Sequence, residues 1–291
     1  VAAPGRSQAV DQILLGDNLE LLPGLPAESF QLIYIDPPFN TGSTQTRRTL
    51  AAVRDDDGER TGFQGRRYRT ELQAVSSYGD SFDDYLAFLA PRLRHAHRLL
   101  RRDGTLYFHI DYREAHRCKL LLDDIFGADC FLNEIIWAYD YGARTRRRWP
   151  AKHDTILVYV KDPALYYFDS DGVDREPYMA PGLVTLEKAA RGKLPTDVWW
   201  HTIVPTNGRE KTGYPTQKPE GIVRRMVAAS TRPGDRCLDF FAGSGTLGAV
   251  AAQLGRRYLL IDSNPRAVEV MRARLRGPAA EHAASAARSG V

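Results

Sequence analysis

The sequence predicts an α/β fold in which a mostly parallel sheet is covered by helices on both faces. Three observations predict it. Short runs with the length and the β-branched or aromatic content of buried strands recur along the chain. Stretches of helical period separate them, and this alternation builds parallel strands joined by crossover helices. Three of the runs end on aspartate; such a sheet binds ligands at the carboxyl ends of its strands, so these acids are expected along one rim.

In order, Phe30–Asp36 reads as the first buried strand. The stretch 81–102 carries Leu and Phe at helical intervals, with Pro91 expected to kink or split it. Thr105–Asp111 and Asp154–Val160 are further strands, with a helix over 112–126 between them. Helices follow over 219–230, 246–254 and 265–275, alternating with strands Arg236–Phe241 and Arg257–Asp262. Two segments lack a period. Residues 41–80 are rich in Arg, Gly, Asp and Thr and too long for an ordinary connection, so a mobile functional loop is expected there. Residues 163–207, with Trp199 and Trp200, are the second irregular stretch. Neither reads as a separate domain, so 10–275 is expected to be one domain and 277–291, Ala- and Ser-rich, a disordered tail.

With 43% hydrophobic and 26% charged residues over 291 positions, a sizeable core is expected. No apolar run approaches the ~18–20 residues of a membrane span, and no targeting segment is evident; a cytoplasmic protein is expected. Cys118, Cys130 and Cys237 are widely spaced, with neither a disulfide framework nor a metal site suggested. The net charge of +4 is mild but uneven: Arg47, Arg48, Arg66, Arg67 and Arg69 form one group, and Arg144, Arg146, Arg147 and Arg148 another. Tyr139, Tyr141 and Trp149 interleave with the second group, a mixture suited to phosphates and bases. Composition alone favours a solvated surface for both.

"LDFFAGSGTLG", Leu238 to Gly248, places Gly243, Gly245 and Gly248 in G-x-G-x-x-G spacing between a strand and an Ala-rich helix. Asp262 ends the next strand, seventeen residues after Gly245. Such glycines admit close backbone approach, and an acid at the neighbouring strand tip accepts ribose hydroxyls, which indicates a nucleoside cofactor. Nicotinamide dinucleotide and S-adenosylmethionine both fit this motif taken alone.

"DPPF", Asp36 to Phe39, followed some two hundred residues later by "FAGSGT", Phe241 to Thr246, resembles the paired signatures of DNA amino-methyltransferases. The order resembles their β group, with the catalytic half ahead of the cofactor half. "DGTLYFHID", "IIWAYDYG", "KHDTILVYVK" and "YPTQKPEGIVRRMV" resemble that group's intervening blocks. The likeness covers about Ile13 to Leu275. It implies a Rossmann-like S-adenosylmethionine-dependent methyltransferase fold with circularly permuted motif order: a catalytic half over 10–162, a target recognition region over 163–207 and a cofactor half over 212–275.

The chemistry accounts for the first motif independently. An exocyclic amine delocalises its lone pair into the ring until acceptors engage its hydrogens. Asp36 can supply one acceptor and the Pro37 carbonyl another, while Pro37 and Pro38 lack N–H groups and hold the turn rigid. Phe39 can stack on an extruded base. The resemblance implies that Phe241, Gly243, Ser244, Gly245 and Thr246, with Asp239 at the strand end, surround the methionine part of the cofactor. It places Asp262 on the ribose and Thr216, Gln217 and Lys218 near the methionine carboxylate. The family usually has Asp-Pro-Phe where this chain has Asp239, Phe240 and Phe241, often Gly-Thr-Thr where it has Gly245, Thr246 and Leu247, and Glu where it has Asp262.

Asp before Pro-Pro goes mostly with N6-adenine in this family and Ser mostly with N4-cytosine; adenine is therefore expected, with cytosine the alternative. A non-catalytic DNA-binding protein and a nicotinamide dehydrogenase are the readings from other classes. Double-stranded DNA is the implied partner, with Arg66, Arg67, Arg144, Arg146, Arg147 and Arg148 on its phosphates. A homodimer and a cognate restriction nuclease are further expectations of the resemblance.

Overall fold

The computed structural model describes residues 11–40, 43–54, 60–61, 67–80, 82–142, 144–205 and 207–276, with backbone alone over the strands between 43 and 80. Thr41, Gly42, Arg66 and the tail 277–291 lie outside the described residues, and of Arg67 only the backbone is described. The first elements are β1 (Gln12–Leu15), α1 (Asn18–Leu21), β2 (Phe30–Ile35), β3 (Ser43–Arg54), β4 (Arg60–Thr61) and β5 (Arg67–Asp80). Next come α2 (Tyr85–Leu99), β6 (Leu100–Asp111), α3 (Ala115–Phe126), β7 (Phe131–Ala138), β8 (His153–Val160), α4 (Leu186–Arg191) and β9 (Val198–Trp200). The chain finishes with α5 (Glu220–Ser230), β10 (Arg236–Asp239), α6 (Thr246–Gln253), β11 (Arg257–Asp262) and α7 (Pro265–Leu275). None of the described helices is long and apolar enough to cross a membrane.

The chain divides into two compact units, Val1–Pro37 with Leu86–Val291, and Pro38–Tyr85. In the first, eight strands form one sheet in the order β1-β11-β10-β2-β6-β8-β7-β9. β11 and β10, from the C-terminal part of the chain, lie between β1 and β2, so both halves of the sequence build a single sheet. All neighbours are parallel except at β8, which is antiparallel to both β6 and β7. The sheet is thus mostly parallel, as expected, with His153–Val160 the strand that runs the other way. An antiparallel neighbour needs only a loop, and 139–152 supplies one where a parallel strand would need a crossover.

Alternate strand residues face opposite sides. Leu32, Tyr34, Tyr107, Trp137, Ile156 and Val158 pack with the buried stripes of α5, α6 and α7. The intervening Ile33, Ile35, Phe108, Ile110, Leu157 and Tyr159 are equally buried. On that side Phe126 of α3 meets Tyr159, with ring centroids 5.6 Å apart, and His97 of α2 meets Phe126 edge-on at 4.9 Å.

α2 runs unbroken through Pro91, which was expected to kink or split it. Proline inside a helix costs about 3 kcal/mol. Leu89, Leu93 and Leu99 are fully buried along one stripe, at about 1.5–3 kcal/mol each. The stripe outweighs the ring.

The second unit replaces the expected loop over 41–80 with an antiparallel sheet of order β3-β5-β4. β3 pairs β5 from Ser43↔Asp80 to Arg54↔Tyr68, with a register shift between Thr49 and Leu50. Strands lacking a regular apolar alternation are invisible to a periodicity reading, because cross-strand pairing supplies what sequence pattern does not. Asn40, at φ 54°, accepts the Phe82 N–H through its side chain at 3.1 Å, and the Tyr85 hydroxyl donates to the Pro38 carbonyl at 2.6 Å.

Candidate active site

The sheet reverses its winding between β10 and β2: the chain proceeds from β10 to β11 on one side and from β2 to β6 on the other. Ligands of open α/β sheets bind outside the strand ends at such a switch. The two motifs flank it, Asp36 just beyond β2 and the glycine turn just beyond β10. Leu238 lies opposite Ile33 in parallel register, so the carboxyl ends of these strands are adjacent.

Asp36 is held from the other half of the sequence. Its Oδ2 lies 2.5 Å from Lys218 Nζ, with 18% of the aspartate side chain and 11% of the lysine side chain exposed. Its Oδ1 is buried and has no hydrogen-bond partner among the described residues. An unsatisfied buried acceptor costs about 1–3 kcal/mol, and in folded proteins such atoms call for a functional account.

The glycine turn is shaped by backbone geometry. Gly243 and Gly245 have φ of 50° and 72°, the left-handed region that side chains disfavour. A Cβ on Gly245 would lie 2.7 Å from Met271 Cγ, and one on Gly248 2.6 Å from Leu260 Cδ1, so both glycines also allow helix and strand to close on each other. The Gly243 N–H donates to Asp262 Oδ2 at 2.8 Å, and the Asn264 N–H to Oδ1 at 2.8 Å. Burial pushes the Asp262 carboxyl above its ordinary range despite these two donors. Asp239 is buried below the turn and accepts the Phe241 N–H at 2.9 Å. Burial drives its carboxyl well upward, with repulsion from Asp36 and Asp262 in the same direction.

The remaining predicted residues split between rim and scaffold. Phe241 is half-buried between the rings of Phe240 and Phe88, at 5.3 and 6.1 Å. Ser244 and Thr246 are buried, and their hydroxyls turn into the protein: Thr246 donates to the Lys218 carbonyl at 3.1 Å, and Arg274 donates to Thr246 Oγ1 at 3.1 Å. Gln217 closes its own loop, accepting the Thr212 N–H at 2.9 Å and donating to the Glu210 carbonyl at 2.7 Å. Thr216 has a left-handed φ of 56°. Arg144, Arg146, Arg147 and Arg148 are exposed on the connection from β7 to β8, which leaves and returns at the same rim. Trp149 beside them is 95% exposed.

Tyr34, His109 and Asp154 were not among the predicted site residues. Tyr34 hydroxyl lies 3.0 Å from His109 Nδ1, and His109 Nε2 3.2 Å from Asp154 Oδ2. The Tyr139 hydroxyl donates to Asp154 Oδ1 at 3.0 Å. Burial raises the Asp154 carboxyl, but His109, Lys218 and Tyr139 outweigh it and hold the group below its ordinary range. The polar His109 within the apolar run "LYFHID" was the one visible hint. Asn18 spans from Arg92 Nε, at 2.7 Å, to the Phe240 carbonyl, at 2.9 Å, bracing the strand that carries the turn.

The arrangement suits a cationic nucleoside. Asp36, Asp239 and Asp262 line the switch, the glycines open a backbone cradle, and Asp262 retains lone pairs for a diol. A family model described as DNA methylase matches residues 30–273. The chain is 29% identical over 266 residues to the DNA adenine methyltransferase YhdJ of Escherichia coli, covering 89% of this chain and 80% of that protein. It is 30% identical over 267 residues to the type II methyltransferase M.HpaI of Haemophilus parainfluenzae, covering 91% and 74%. Its fold is similar to that of the PvuII cytosine-N4-specific DNA methyltransferase, with TM-score 0.62 and 16% identity over 92% of this chain and 86% of that one. It is similar as well to M1.HpyAVI in complex with SAM, with TM-score 0.57 and 19% identity over 91% and 98%. The chain therefore belongs to the DNA methylase family.

Proposed function

We propose that the chain transfers a methyl group from S-adenosylmethionine to the exocyclic N6 of an adenine extruded from double-stranded DNA. The observation that carries this reading is Asp36 itself: a half-buried carboxylate at the switch point whose Oδ1 is buried and has no hydrogen-bond partner among the described residues, adjacent to the glycine turn. Asp at this place, together with a relative named as an adenine methyltransferase, supports adenine over cytosine.

The turn from Phe241 to Thr246, with Asp239 beneath it, Asp262 on the ribose, and the Thr216–Gln217 loop, would hold the cofactor. When bound, S-adenosylmethionine supplies an electrophilic methyl group on a cationic sulfur. Asp36 Oδ1 accepts one amine hydrogen and the Pro37 carbonyl the other, which draws the nitrogen lone pair out of ring conjugation. Asp36 Oδ1 then takes the proton that the methylated amine releases. Phe39 stacks on the extruded ring, and Pro38 holds the turn through its bond from Tyr85.

Arg144, Arg146, Arg147 and Arg148 meet phosphates, and the same chemistry is proposed for Arg66 and Arg67. The segment 163–207 reads the target sequence. Expression in a host lacking DNA methylation, followed by mass spectrometry of its digested DNA and methylation-sensitive sequencing, tests the reading. N6-methyladenine at one sequence, absent with Asp36→Ala, is expected. N4-methylcytosine would transfer the assignment to the other base, and equal methylation with Asp36→Ala would overturn the catalytic role.

A further inference from the structure

Three features single out Lys218. Its side chain is mostly buried, and its ammonium contacts Asp36 Oδ2 at 2.5 Å, whereas a lysine kept for surface charge would be solvated. Pro219 follows it and confines its backbone to the extended region, so the launching point of the side chain is fixed. Its carbonyl accepts the hydroxyl of Thr246 at 3.1 Å, which fastens the same residue to the first position of α6. Asp36 and Thr246 lie on opposite sides of the switch point, and Lys218 touches both.

A carboxylate has two oxygens and rotates about its last bond. An ammonium on Oδ2 fixes the plane and leaves Oδ1, buried and without a hydrogen-bond partner among the described residues, presented to a substrate. The charge has a further use. Lys218 opposes the effect of burial and of repulsion from Asp36 and Asp262 at Asp239, and the effect of burial at Asp154.

We propose that Lys218 is a positioning residue for the catalytic carboxylate: it clamps Asp36 Oδ2 so that Oδ1 meets the amine, and its carbonyl ties that orientation to the cofactor turn. The proposal rests on the methyltransferase reading above. It differs from the role at the cofactor carboxylate that the family resemblance implies for Lys218, and the two roles separate experimentally.

In Lys218→Met, single-turnover methyl transfer at saturating S-adenosylmethionine and DNA is expected to fall about 100-fold, the scale of a small misplacement of a reacting group. Calorimetric Kd for S-adenosylmethionine without DNA should change less than about threefold, well under the tenfold that 1.4 kcal/mol represents. Lys218→Arg, which keeps the charge, should recover the rate to within about tenfold of wild type, allowing for its different geometry. An unchanged rate in Lys218→Met would overturn the proposal, as would a loss of cofactor affinity large enough to account for the slower rate. Should Lys218→Met not fold, the double variant Asp36→Asn/Lys218→Met, with neither charge left unpaired, should melt nearer to wild type than Lys218→Met; no recovery would also overturn it. A wild-type protein that binds S-adenosylmethionine yet methylates no duplex would remove the methyltransferase reading first, and the proposal with it. In crystals of the S-adenosylmethionine complex, Nζ and Oδ2 should stay within salt-bridge distance; separation there would refute the clamp.

Discussion

Asp262 Oδ2 accepts the backbone N–H of Gly243 at 2.8 Å, so the acid at the tip of β11 braces the turn that begins beyond β10. One carboxylate therefore shapes the turn, and in the proposed cofactor site the same group would accept from the ribose diol. Hydrogen bonds to charged groups contribute about 1.5–3 kcal/mol, so Asp262→Ala should weaken S-adenosylmethionine binding about 10- to 150-fold. Titration calorimetry checks it; unchanged affinity would remove Asp262 from the cofactor site.

Two acids of the same rim should respond to pH with opposite signs. Asp239 has a raised carboxyl pKa in the folded protein, so its contribution favours folding below the ordinary value near 3.8 and is lost as pH rises through the folded value. Asp154 is depressed, so its contribution is present above 3.8 and is lost as pH falls through the folded value. Asp239→Asn keeps the acceptor for Phe241 and should raise Tm at neutral pH. Asp154→Asn should lower it, and both differences should shrink toward acid pH in thermal melts. The same sign for both would contradict these environments.

Gly245 and Gly255 share φ of 72°, but of the two only Gly245 is crowded, because among the described residues no atom beyond its chain neighbours lies within 4 Å of a Cβ built on Gly255. Gly255→Ala should therefore cost about 1 kcal/mol from backbone strain alone. Gly245→Ala adds a clash with Met271 and should cost about 1–3 kcal/mol more. Denaturant melts of the two variants isolate the contact, and equal losses would mean that α7 simply shifts.

Arg225 clamps the segment 163–207 to α5. It makes a two-pronged pair with Asp174, a 2.9 Å contact to Glu176, and lies 5.4 Å over the Trp199 ring, with 13% of its side chain exposed. Arg225→Ala should lower stability by about 1–3 kcal/mol and open 163–207 to limited proteolysis. Cofactor affinity should stay at the wild-type value. Cleavage elsewhere first would show that the clamp does not control this segment.

Phosphate contacts by Arg144, Arg146, Arg147 and Arg148 should appear in the salt dependence of DNA binding. Each contact removed should reduce the slope of log K against log salt by about 0.9 for duplex DNA. Four alanines should thus flatten it by about 3–4 if all four engage. Fluorescence anisotropy across a salt series measures the slope, and no change would return these arginines to solvent.

The sequence by itself determined β2, β6, β8, β10 and β11 and where the acids and glycines of the motifs stand, because apolar content and turn chemistry act over a few residues; β1, β7 and β9 were not read as strands. Phe30–Asp36 and Arg257–Asp262 were legible for that reason, as were the helices over 219–230 and 265–275. Tertiary structure alone decided that β8 runs antiparallel, bringing Asp154 opposite Asp111, since strand content is the same in either direction. It alone decided the sheet over β3–β5, whose polar strands become strands only by pairing. It also turned the Thr246 hydroxyl inward and set Lys218 on Asp36, 182 residues apart in sequence. Pairings of that separation leave no local period; they exist only once the sheet places its strand ends side by side.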